Sequence, residues 1–140
     1  MRYLGLDLGT KTLGIAISDR TGIIASFYDN IRYESEDDLI SLIDDIIKKE
    51  SIDMVVLGLP VNMDGSLGFR AEETMNFKAK LESIIDKEVV LQDERLSTRV
   101  ATDVLIEADM SRKKRKDVID GVSAVVILQT YLDRKWYYDW

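Results

Sequence analysis

Three acidic residues, far apart in the chain, carry the chemistry this sequence can do: Asp7, Glu94 and Asp120. Asp7 lies in Tyr3-Leu-Gly-Leu-Asp-Leu8, where Leu4, Leu6 and Leu8 alternate with Tyr3, Gly5 and Asp7. That period of two predicts a half-buried strand with the carboxylate on the face opposite the leucines. A charge buried there without a partner costs several kcal/mol, so Lys11 or a metal ion must meet it; a salt-bridged or turn-capping aspartate is the plainer reading. Glu94 ends a predicted strand, Glu88–Asp93, with Val90, Gln92 and Glu94 on one face and Val89, Leu91 and Asp93 on the other. Taken alone, Asp93-Glu94-Arg95 reads as a surface charge cluster before a helix capped by Ser97 or Thr98. Asp120 falls in the first turn of an apolar helix, on the face of Ser123, Ala124 and Ile127. The helix dipole stabilises an anion there by only a few tenths to about 1 kcal/mol. A capping role, a lysine or a cation must supply the rest.

Taken together, the three acids point further than each does alone. The chain has no histidine and no cysteine, which removes Ser-His-Asp hydrolysis, histidine-ligated zinc, thiolate sites and disulfides. Carboxylates, hydroxyls, lysine, arginine and a hard metal ion remain. Mg²⁺ or Mn²⁺ prefers carboxylate oxygens and binds beside substrate phosphates. Two such ions about 3.5–4 Å apart can activate water and stabilise the leaving oxygen of a phosphodiester. The net charge of −7 argues against a broad, non-specific nucleic-acid binder. Charge is unevenly placed, however. Acids crowd residues 34–53, while Arg112, Lys113, Lys114, Arg115 and Lys116 form an unbroken basic run that either grips phosphates or is a solvated loop.

The elements that would position these residues follow from periodicity. Residues 2–8, a strand centred on Leu13–Ile17, and Ile23–Ile31 read as an antiparallel meander. The small residues Gly5, Gly14 and Ala16 leave one of its faces open to close helix packing. Ser35 with Asp38 resembles a capping box, and Leu39, Ile40, Ile43, Ile46 and Ile47 continue at helical spacing. Met54–Leu59 is an apolar run ending at Pro60, consistent with a strand buried on both faces. Helices are predicted at 69–86, 97–108 and 117–132, the last apolar nearly all round and so buried on most sides. The order βββαβαβαα predicts an α/β fold with a mixed five-stranded sheet, three antiparallel strands plus two parallel, and helices on both faces. Function belongs where the ends of the first, fourth and fifth strands meet. In the loop 58–68, Asn62, Asp64 and Ser66 could orient substrate, though a plain turn at Asp64-Gly65 explains them equally well. Asp7-Leu-Gly-Thr10 is similar to a phosphate loop of actin-like and sugar-kinase ATPases, which need a second lobe that 140 residues cannot supply. At that length and 46% apolar content one core is expected. With no membrane-length apolar stretch and a strand at the N-terminus, secretion is not expected.

The segments Gly5-Leu-Asp-Leu-Gly-Thr-Lys-Thr-Leu-Gly-Ile-Ala16, Gly58-Leu-Pro60, Asp64-Gly-Ser66, Asp93-Glu-Arg-Leu-Ser-Thr98 and Asp120-x-x-Ser-Ala-x-x-Ile-Leu-Gln129 resemble the YqgF family. Its members are also called RuvX-type Holliday junction resolvases or small-subunit rRNA precursor nucleases. The likeness spans residues 2–133, with Ser123-Ala124 standing where many members carry paired alanines. It implies an RNase H-like fold over 1–134, with 135–140 as an aromatic C-terminal tail, and a bacterial cytoplasmic protein without a membrane. It also implies divalent-metal hydrolysis of phosphodiesters, with Asp7, Glu94 and Asp120 as catalytic residues and ligands of one or two Mg²⁺ or Mn²⁺ ions. Lys116 matches a basic position of the family. Lys11, Arg95, Arg99, Lys113, Lys114 and Lys116 are the candidate substrate contacts. The expected function is metal-dependent endonuclease cleavage at the 5′ end of pre-16S rRNA by a monomer or homodimer. Resolution of four-way junction DNA and a non-catalytic ribosome-assembly module are the alternatives.

Overall fold

The computed structural model describes residues 1–94 and 112–138, and the side chains of all of these except 112–121 and 136–138. Five strands form one mixed sheet: β1 (Tyr3–Leu8), β2 (Thr12–Ser18), β3 (Ala25–Arg32), β4 (Met54–Leu59) and β5 (Glu88–Asp93), in the order β3-β2-β1-β4-β5. The first three pair antiparallel, whereas β1–β4 and β4–β5 are parallel. The described helices are α1 (Glu36–Lys49), α2 (Phe69–Glu82) and α3 (Arg112–Tyr138).

The alternation read in β1 divides the core in two. Leu4 and Leu6 pack with Leu13, Ile15, Val55 and Leu57 against the apolar faces of α1 and α2. Tyr3, Ala16 and Val56 face the other way, onto Ala124, Ile127, Leu128 and Leu132 of α3. Small residues make that second contact close: a Cβ on Gly5 would stand 2.7 Å from Leu128 Cβ and 3.3 Å from the Ala124 carbonyl oxygen. The Ser35 side chain caps α1 by accepting from the Asp38 N–H at 3.2 Å, as the capping-box reading expects.

Several boundaries differ from the sequence expectation, each for a local reason. β3 begins at Ala25 rather than Ile23 because the Asp19 carboxylate accepts the N–H groups of Ile23 and Ile24, both at 2.9 Å. The Ile24 N–H, the Thr21 hydroxyl and the Ile23 N–H together hold the Asp19 carboxyl far below the usual carboxylate range. Gln129 of α3 then clasps this edge, accepting from the Ala25 N–H at 2.8 Å and donating to the Ile23 carbonyl at 2.9 Å. α2 stops at Glu82, short of 86, where the N–H groups of Ile84 and Ile85 both turn back onto the Leu81 carbonyl at 3.0 and 2.9 Å. α3 exceeds the predicted 117–132 at both ends. The basic run 112–116 is helical rather than a loop, in keeping with the high helix propensity of arginine and lysine. At the other end Tyr131 packs on Tyr3 with ring centroids 5.9 Å apart, and Lys135 lies 6.0 Å from the same ring. The helix therefore runs on across residue 134 into the aromatic segment. Its apolar surface is one-sided: Ala124, Ile127 and Leu128 are buried, while Val122, Val125 and Val126 are only partly so, because the sheet covers one face. The helix expected at 97–108 lies outside the described residues.

Candidate active site

The register of the parallel strands assembles the site. In β1, Tyr3 and Gly5 face α3, so Asp7, two residues on, leaves the strand on that side. Antiparallel pairing sets Asp7 opposite Gly14 of β2. On the other flank Leu6 pairs with Leu57, and one step further along the same register stands Gly58. Asp7 is thus flanked by a glycine on each neighbouring strand.

Glu94 approaches from the far side of β4. Its N–H donates to the Leu59 carbonyl at 3.0 Å, continuing the β4–β5 ladder beyond the Gly58–Gln92 and Leu59–Asp93 pairs. Adjacent strands lie about 4.8 Å apart, so β1 and β5 backbones are roughly 10 Å apart and too distant for two short acids to meet. Gly58 removes the obstacle. The Glu94 carboxylate lies over it, where a Cβ on residue 58 would overlap Oε2 and come within 2.7 Å of Ile127 Cδ1. The Glu94 carboxylate therefore takes the space a side chain at 58 would fill, over the strand that separates β5 from β1, and its Oε2 is shielded from solvent.

Asp120 arrives on α3. Tyr131 contacts Tyr3, and Leu128 with Ala124 lies over Gly5, so the helix runs opposite to β1. From Gly5 to Asp7 the strand advances about 6.7 Å, and from Ala124 back to residue 120 the helix retreats about 6 Å. The two progressions match, which places the helical turn holding Asp120 at the Asp7 end of β1; its side chain is outside the described set. Lys113, Lys114 and Lys116 fall in the opening turns of α3, one to two turns before it. Lys11 is exposed in the turn between β1 and β2, its carbonyl accepting from the Tyr33 N–H at 3.0 Å. Arg95 and Arg99 lie outside the described residues.

Two residues not predicted from sequence border the loop after Asp7. The Tyr33 hydroxyl donates to the Gly9 carbonyl at 2.7 Å, and partial burial raises its pKa above the ordinary tyrosine value despite the opposing charge of Arg70. Arg70 of α2 donates to the Leu8 carbonyl at 2.9 Å. Both contacts span long stretches of chain, so no local pattern announces them. In the 58–68 loop the turn reading accounts for the polar side chains. Asp64 accepts from the Ser66 N–H at 2.9 Å, and Asn62 donates to Ser66 Oγ at 3.0 Å.

The family model described as RuvX, Holliday junction resolvase, matches residues 1–134. The chain belongs to the RuvX family. A relative from Bacillus cytotoxicus named "Putative pre-16S rRNA nuclease" is 47% identical over 137 residues, covering 96% of this chain and 100% of the relative. One of the same name from Geobacillus sp. strain WCH70 is 51% identical, covering 96% and 99%. Among solved structures, Thermus thermophilus RuvC bound to a Holliday junction substrate aligns with a TM-score of 0.62 at 9% identity, over 99% of this chain and 97% of that one. The fowlpox virus resolvase with Holliday junction DNA aligns at 0.59 and 14% identity, over 96% and 98%. At such identities the likeness concerns the fold, and the RuvX chain has the RNase H-like architecture expected of it.

Proposed function

We propose that this RuvX protein is a divalent-metal-dependent endonuclease of the bacterial cytoplasm that processes the 5′ end of pre-16S rRNA. The observation that carries the reading is the Glu94 carboxylate lying over Gly58, the β4 residue next in register beside Asp7, at the carboxyl ends of adjoining parallel strands. The donor set is all carboxylate, with glycine on both sides of Asp7, and it fits Mg²⁺ or Mn²⁺. Asp7, Glu94 and Asp120 would hold one or two such ions. A bound ion supplies Lewis acidity that activates water and offsets charge on the phosphodiester. The rigid sheet fixes Asp7 and the start of Glu94, while α3 brings Asp120 as a unit, so the ligands are oriented before substrate arrives. The early turns of α3, with Lys113, Lys114 and Lys116, give the phosphate backbone a basic approach next to the carboxylates. Nearly full-length likeness to relatives bearing the rRNA nuclease name supports the choice of substrate. No described helix is long and apolar enough to cross a membrane.

The test is cleavage of a pre-16S 5′ leader transcript in Mn²⁺. Substitutions beyond the immediate ligands of a metal typically cost 10–100-fold, so Asp7→Asn, at a ligand, should lower the rate by at least about 100-fold while leaving the thermal melt near wild type. Undiminished cleavage by that variant would exclude the mechanism. A second reading, resolution of junction DNA, is favoured by the description of the matching family model. It requires two sites cutting symmetrically, so paired nicks made by a stable homodimer would select it over the rRNA substrate.

A further inference from the structure

We propose that Arg70 binds a backbone phosphate of the strand being cut, at the crevice between β1 and β4; the inference rests on the nuclease reading above. In the order β3-β2-β1-β4-β5 the chain leaves β1 toward β2 and leaves β4 on the opposite side. That divergence opens a crevice at the carboxyl ends of the two strands, the usual place for a ligand in an open α/β sheet. Arg70, in the first turn of α2, reaches into this region. One of its terminal nitrogens donates to the carbonyl of Leu8, the residue after Asp7, at 2.9 Å, and the other meets Glu73 at 3.3 Å. Those two bonds fix the plane of the guanidinium. Arginine has five N–H donors, so three remain, and 38% of the side chain stays open to solvent.

The chemistry of the site needs such a group. Three carboxylates repel an incoming phosphodiester, and a preorganised planar cation recognises phosphate with a matching fork. Tying down the Leu8 carbonyl alone would need one neutral N–H. A guanidinium paired on one side with the partly exposed Glu73 and open to solvent on the other, bonded to the backbone one residue from Asp7, suits an anion that comes and goes. Arg2, by contrast, is held by the Ser18 carbonyl and Glu50, and Lys80 by Glu36 and Asp37.

The experiment is equilibrium binding of a labelled RNA duplex with a single-stranded 5′ extension, in Ca²⁺, between 50 and 200 mM KCl as the salt range. Arg70→Gln keeps a donor for the Leu8 carbonyl and removes the charge. It should weaken binding about tenfold at the low-salt end and reduce the log–log salt slope by roughly 0.7–0.9, the loss of one phosphate contact. Lys48→Gln, on the last turn of α1, should leave the slope unchanged. In the wild-type chain, bound RNA should protect Arg70 from phenylglyoxal, a readout that holds even if the variant folds poorly. An unchanged slope in Arg70→Gln, or no protection in the wild type, would reduce Arg70 to a brace for the Leu8 carbonyl and overturn the inference alone. Wild-type protein that binds neither this RNA nor junction DNA would overturn the nuclease reading and the inference with it.

Discussion

Gly58 shapes the proposed site as much as the acids do, because the Glu94 carboxylate takes the space that a side chain there would fill. The atoms nearest to a methyl group at 58 would be the ends of two flexible side chains, the Glu94 carboxylate and Ile127 Cδ1. The fold can yield to that cheaply, whereas the carboxylate cannot stay where it is. Gly58→Ala should therefore melt close to wild type yet bind Mn²⁺ about 10–100-fold more weakly, the range for disturbed ligand geometry. Calorimetric titration measures it, and unaltered affinity would mean that Glu94 does not need its path over β4. At this scale the sequence was legible where a residue's role follows from its own strand. Alternation alone placed Asp7 opposite the leucines and Glu94 with Gln92 and Val90. It was not legible where the role depends on a partner strand. Gly58 reads as one small residue in an apolar run until the β1–β4 register sets it beside Asp7. Arg70 reads as a surface charge until its contact with Leu8, 62 positions away, is seen.

Among the elements, α3 decides whether the proposed site can form, since its turn holding Asp120 lies at the Asp7 end of β1. Its height over the sheet is set at Gly5, where a Cβ would stand 2.7 Å from Leu128 Cβ. That neighbouring atom is next to the helix backbone and cannot rotate away. Gly5→Ala should push α3 outward, cost about 1–3 kcal/mol as an overpacked contact, and lower Tm by roughly 3–15 °C. Cleavage by the surviving folded protein should fall too, because Asp120 moves with the helix. A variant with wild-type Tm would show that α3 is not seated on β1. Periodicity predicted the existence of this helix but not its length. The basic residues 112–116 carry no apolar stripe to mark them helical, and the Tyr131–Tyr3 contact that docks its far end joins opposite ends of the chain. β3 likewise starts later than its apolar pattern predicts, because Asp19 takes the backbone donors of Ile23 and Ile24 away from the ladder.

For the molecule as a whole, the proposed centre depends on the sheet order. In that proposal β1 supplies Asp7, the end of β5 supplies Glu94 and α3 supplies Asp120, with Gly58 of β4 leaving room between the first two. An acidic chain of net charge −7 can still meet a polyanion if cations stand locally at that end, and Lys11, Arg70 and the basic opening of α3 are the candidates for it. Acids that share one ion act as a unit, so under this proposal their losses should not add. Titration with Mn²⁺, followed by electron paramagnetic resonance of the free ion, addresses this directly on wild type, Asp7→Asn, Glu94→Gln, Asp120→Asn and the Asp7→Asn/Glu94→Gln double variant. Each single substitution is predicted to abolish most of the binding, with the double variant little worse than either of its parents. Wild-type affinity in any one of the three single variants would contradict a shared site.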